Sequence, residues 1–146
     1  MGSEAAPVFE LTVPSRMEEL EAVQQFAESA SGALGLDKEL AYWIELAINE
    51  SAINAIQHGN KWDASKNASI RISSDGEIIE IVVEDQGPGF ELSEVPDPTD
   101  TENLLKPGGR GILIIQSFMD TVEVSQIDGG GSRLRMVKKI KDAKVS

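Results

Sequence analysis

Cysteine is absent from the 146-residue chain, so disulfides and thiolate metal sites are excluded. Histidine occurs once, at His58, which excludes a multi-histidine metal centre and leaves oxygen ligands for any cation. Aromatic residues make up 5% of the chain, and no apolar run approaches the length of a membrane span; Ile112–Ile115 is typical of the longest. Met1–Pro7 lacks the basic-then-apolar pattern of a signal peptide, so the expectation is a cytoplasmic protein without a membrane partner. Basic residues are also scarce, 13 Lys and Arg against 25 Asp and Glu. The resulting net charge of -12 repels nucleic-acid backbones and argues against direct nucleic-acid binding. It is equally unfavourable for a free polyphosphate, which would have to arrive as a magnesium complex or meet backbone N–H groups.

What is present is enough apolar content, 40%, for one core. The chain reads as a single domain over residues 1–146, with its core at about 8–140. Val8–Val13 alternates apolar and polar residues and stops at Pro14, a short strand. Ser15 and Glu18 have the spacing of a capping box for a helix carrying Leu20, Val23, Phe26, Ala27 and Ala30. Asp37 is placed to cap a second, longer helix that runs to about Gln57 or His58, with Gly59 as its terminator. Strands at Ala68–Ser73 and Glu77–Glu84 flank Asp75-Gly76, a hairpin dipeptide. From Gly87 to Gly111 the chain has four prolines and five glycines, a loop long enough to imply a site, and it reads as a mobile lid. A helix over Ile112–Met119, a hairpin pairing Val122–Ser125 with Arg133–Val137 across Asp128–Gly131, and a polar tail from Lys138 complete the order. The expected fold is α+β: a two-layer sandwich with helices on one face of a mixed, mainly antiparallel sheet.

Three features carry chemistry. Glu50, Asn54 and His58 recur every four residues, which stacks them along one helical ridge. Such a ridge is either a solvated face or a pocket wall; Ala47, Ile48, Ala52, Ile53, Ala55 and Ile56 around it favour the wall. Asp85-Gln86-Gly87-Pro88-Gly89 follows an apolar strand, where it is either an ordinary turn or a place for a ligand to approach backbone. Lys106–Gly111 is a glycine-rich run leading into a helix start, which presents free N–H groups to an anion; it matches neither a Walker loop nor G-x-G-x-x-G.

In this order the three pieces resemble the N-box, D-x-G-x-G box and G-x-G box of the GHKL (Bergerat) ATP-binding superfamily. Glu50–Gly59 is especially similar to the anti-sigma-factor serine kinases of sporulation and general stress response. The resemblance implies ATP and Mg2+ as cofactors. It implies that Asp85 accepts a hydrogen bond from the adenine amino group beside Gly87 and Gly89, that Asn54 holds magnesium, and that Gly109 and Gly111 line the phosphates. Ser132, where the family usually has threonine, would support the adenine side, and Glu50 would be the general base toward a partner's serine. His58 is either nucleotide support or a helix-end histidine. The chain has Pro107 where the sporulation-type kinases have an arginine, which leaves Arg110 either on the phosphates or paired with a surface carboxylate. The implied partners are a sigma factor and an anti-anti-sigma (STAS-type) protein, with homodimerisation through the first strand and helix. Two other functions fit the same boxes: a nucleotide-gated binding module without phosphotransfer, which has no need of Glu50, and a detached histidine kinase catalytic domain, which here lacks a preceding phosphoacceptor hairpin.

Overall fold

The structure is a computed structural model, and it describes residues 8–87 and 115–140. Five strands form one sheet in the order β1-β2-β3-β5-β4: β1 Val8–Pro14, β2 Asn67–Ser74, β3 Ile78–Glu84, β4 Thr121–Gln126 and β5 Ser132–Lys139. All four pairings among the described residues are antiparallel. Strand period and register together sort the side chains. Leu11, Ile70, Val83, Leu134 and Val124 form one cross-strand row; Phe9, Ile72, Ile81, Met136 and Val122 form the next on the same face. The opposite face carries charged side chains, and there Arg133 pairs with Glu84 and Arg135 with Glu80 and Glu123.

The apolar face is covered by α1 (Glu19–Ala33) and α2 (Lys38–Ile53). Val23, Ala27 and Ala30 of α1 and Ile44, Ala47, Ile48 and Ala52 of α2 recur at helical spacing and join the sheet rows in one core. Residues 115–118 are helical, and from this turn and the residue after it Ile115 and Met119 enter the same core. Asp37 caps α2 as its sequence suggests, accepting from the Leu40 N–H at 2.8 Å. The Asp75-Gly76 hairpin closes as expected: Asp75 Oδ1 accepts from the N–H groups of Glu77 and Ile78, and Gly76 has φ +93°.

Two local expectations are corrected. Ser15 does not cap α1, whose first flanking residue is Glu18 with no side-chain cap bond. Instead Ser15 is 1% exposed, and its hydroxyl donates to the Lys66 carbonyl at 2.9 Å, a tertiary tie that outcompetes the local cap. The polar tail begins later than Lys138, because β5 runs to Lys139 and pairs Ile78 and Ile79 with Lys139 and Lys138.

Candidate functional site

The second helix changes character where the chemistry is. From Asn54 to Gly59 it widens into a π-helical turn. The Asn54 N–H still reaches the Glu50 carbonyl, an α-helical step, whereas the Asn60 N–H reaches Ala55 at 2.8 Å and the Trp62 N–H reaches Ile56 at 2.9 Å. The ridge expected from the spacing is buried unevenly along its length. Asn54 is buried at 5% exposure behind a half-buried Glu50, while the wider turn leaves His58 exposed. Lys61 and Trp62 then take left-handed backbone conformations, φ 54° and 60°, to bring the chain off the helix.

The π turn delivers Gly59 onto Asp85, the residue after β3. A Cβ built on Gly59 would lie 2.2 Å from Asp85 Oδ2, and one on Gly87 would lie 1.7 Å from the Gly59 carbonyl oxygen. One on Gly131, at φ +112°, would lie 2.2 Å from the Asp85 carbonyl oxygen. Two separate segments, ending at Gly59 and Gly131, thus converge on Asp85 at distances only glycine permits, and Gly87 of the Asp85 turn packs on Gly59 in the same way. Asp85 is 4% exposed. Its Oδ1 accepts from the Gly87 N–H at 3.0 Å and the Ser132 N–H at 3.2 Å, and its own N–H donates to the Ser132 carbonyl at 3.0 Å. Among the described residues no hydrogen bond reaches Oδ2. Burial raises the Asp85 pKa, opposed by the two backbone N–H groups and by the charge of Lys66. A buried acceptor with one oxygen fixed by backbone and the other uncommitted is suited to accepting from a donor on a bound ligand.

Glu50 is also raised above an ordinary glutamate by burial, the direction a general base at neutral pH needs. Asn54 Nδ2 is buried without a hydrogen-bond partner among the described residues, which is uncommon in protein interiors. An amide so placed fits a polar ligand: the nitrogen suits a phosphate oxygen, and the amide turned over presents its oxygen to a cation. Among the described residues no group of three acidic or histidine side chains could hold a cation alone.

Of the residues singled out from sequence, Asp85, Gly87 and Ser132 are thus brought together, Ser132 through its backbone, and Glu50 and Asn54 lie one helical turn apart. Gly89, Gly109, Arg110 and Gly111, with the expected lid, lie outside the described residues. Sequence reasoning missed Asn60 and Gly131 and took Gly59 only as a helix terminator. A signal existed for Gly131, because three successive glycines exceed what a hairpin turn demands.

This layout defines the class first. The catalytic domain of the histidine kinase ThkA superposes with a TM-score of 0.52 at 14% identity, covering 93% of this chain and 97% of that one, so the fold is the GHKL type. The family model described as histidine kinase-like ATPase domain matches residues 13–138, and the chain belongs to that family. Among curated relatives, the serine-protein kinase RsbW of Bacillus licheniformis is 28% identical over 132 residues, 86% of this chain and 82% of its own length. The anti-sigma F factor of Clostridium perfringens strain SM101 is 37% identical over 99 residues, 66% of this chain and 71% of its own. No helix among the described residues is long and apolar enough to cross a membrane.

Proposed function

We propose that this chain is an ATP-dependent serine-protein kinase that acts as an anti-sigma factor, sequestering a sigma factor and phosphorylating an anti-anti-sigma protein. The observation that carries the kinase part is Glu50: a half-buried carboxylate with a raised pKa, one helical turn from the buried Asn54 amide, on the helix whose end packs against Asp85. A pure nucleotide-gated binder has no use for such a base. The names of the RsbW and anti-sigma F relatives support the partner assignment.

In this reading Asp85 Oδ2 accepts from the adenine amino group, and the glycines at 59, 87 and 131 let neighbouring backbone pack close enough to hold Asp85 in place. Asn54 would hold a magnesium ion through its amide oxygen, and that ion would screen the phosphate charge. Glu50 takes the proton of the partner's serine hydroxyl as that oxygen bonds to the γ-phosphorus. The bond from γ-phosphorus to the β–γ bridging oxygen breaks, and ADP leaves with that electron pair. General-base removal typically costs about 10²–10⁴ in rate. Intact-mass spectrometry of an anti-anti-sigma partner incubated with MgATP should show one added phosphate with the wild type. With Glu50→Gln the phosphate should be lost or slowed by that factor while ADP affinity is retained. Full-rate transfer by Glu50→Gln would remove the base, and no transfer by wild type would leave only a binding module.

A further inference from the structure

Asn60, immediately after the π turn, is 1% exposed and uses every polar atom of its side chain. Its Nδ2 donates to Ser15 Oγ at 2.8 Å, at the end of β1, and to the Asn67 carbonyl at 3.0 Å, at the start of β2. Its Oδ1 accepts from the backbone N–H of Gln86 at 2.8 Å. Gln86 lies between Asp85 and Gly87 and is held a second time, its Oε1 accepting from the Asn67 N–H at 2.6 Å. The turn that carries Asp85 is therefore gripped on two sides: Gly59 backbone presses against Gly87, and the next residue's side chain holds Gln86. Nothing in the chemistry of a helix end requires this. An ordinary exposed asparagine there would cap locally.

We infer that Asn60 is a positioning residue for base recognition: its oxygen, through Gln86, fixes where Asp85 Oδ2 sits and so sets the preference for adenine over guanine. The inference rests on the nucleotide reading of the site. Guanine carries a carbonyl oxygen where adenine carries the amino group, so a rigidly placed carboxylate oxygen rejects it, and a loosened one discriminates less.

The experiment is isothermal titration of the whole chain with MgADP and with MgGDP, read as the ratio of the two Kd values. That ratio does not depend on the folded fraction, so a merely structural role would leave it unchanged. Asn60→Ala is expected to weaken ADP about tenfold and GDP less than about threefold, collapsing the ratio. Ser15→Ala removes the hub's bond on the side away from Asp85, and should lower the Tm while keeping the wild-type ratio. Should the alanine variant not fold, Asn60→Asp keeps an oxygen opposite the Gln86 N–H and should retain the ratio; a folded Asn60→Asp without selectivity would overturn the inference. An Asn60→Ala protein as selective as wild type would overturn it as well. A wild type that binds neither nucleotide would instead sink the nucleotide reading, and this inference with it.

Discussion

Gly59→Ala separates two effects of opposite sign. Read as a helix-end position, glycine to alanine should stabilise the chain, by up to about 1 kcal/mol on helix propensity. The structure demands the reverse. The added methyl would lie 2.2 Å from Asp85 Oδ2 and 2.4 Å from its Cγ, well inside contact distance. Asp85 cannot swing aside freely, because Oδ1 is held by the N–H groups of Gly87 and Ser132. Retreat of the helix end is opposed as well, because Gly59's own carbonyl already abuts Gly87. Overpacking of a closed site costs about 1–3 kcal/mol, and each buried hydrogen bond broken by the adjustment adds about 1 kcal/mol. A net loss of roughly 2–4 kcal/mol follows, which for a domain of this size lowers Tm by on the order of 6–15 °C. Urea unfolding gives the free energy, and calorimetric titration with MgADP gives the site: affinity should fall at least about tenfold in protein that is still folded, since the clash is with the carboxylate that the proposed function assigns to the base. A Gly59→Ala protein with unchanged or raised stability and wild-type ADP affinity would refute the close approach and the site built on it.

Acidification gives a second test, through Asp85. Its pKa is raised in the folded state, chiefly by burial, so the folded chain holds this proton to higher pH than the unfolded chain does. That contribution to stability is present at low pH and is lost as pH rises through the folded-state pKa. A bound adenine amino group favours the carboxylate instead, so the Tm increase produced by ADP should shrink as pH falls toward the folded-state pKa of Asp85, and Asp85→Asn should abolish both the binding and that pH dependence. A third concerns the exit from the π turn: Lys61 has φ 54°. Lys61→Gly relieves about 1–2 kcal/mol of left-handed strain against about 0.4–1 kcal/mol of added unfolded-state entropy. Urea unfolding should therefore show a small net stabilisation, and a loss above about 1 kcal/mol would contradict the assigned backbone.

The sheet and helix pair were legible because their signals are local and repeated. Period-two apolar residues in β2 and β3, the Asp75-Gly76 turn and the Asp37 cap each act within a few residues and all point to one arrangement. Asp85 and Glu50 were legible as candidates through their motif context. What escaped were the places where a distant segment overrules the local preference. Ser15 has the spacing of a cap, yet Asn60 and Lys66 claim its hydroxyl. The helix was expected to run regularly to about Gln57 or His58, yet its last turn is π-helical, and nothing within Asn54–Gly59 itself announces that widening.

The widening has a physical reason once Asp85 is considered. An α-helical continuation through residue 59 would fix the helix end by its own geometry. Here the end is instead fixed by two external demands: Gly59 must lie against Asp85 and Gly87, and the Asn60 side chain must reach Ser15, Asn67 and Gln86, after which Lys61 and Trp62 take left-handed backbone to leave the helix. The weaker hydrogen-bond geometry of a π turn and the strain at two residues cost on the order of a few kcal/mol. Three hydrogen bonds from a fully satisfied buried amide and a close-packed backbone contact offset that cost. Because the compensation depends on residues from β1, β2 and the turn after β3, the helix end and the Asp85 turn form or fail together. Stability losses at Asn60 or Gly59 should therefore appear in the same unfolding transition as losses at Asp85, and a separate early transition confined to the helix end would show that the two are not joined.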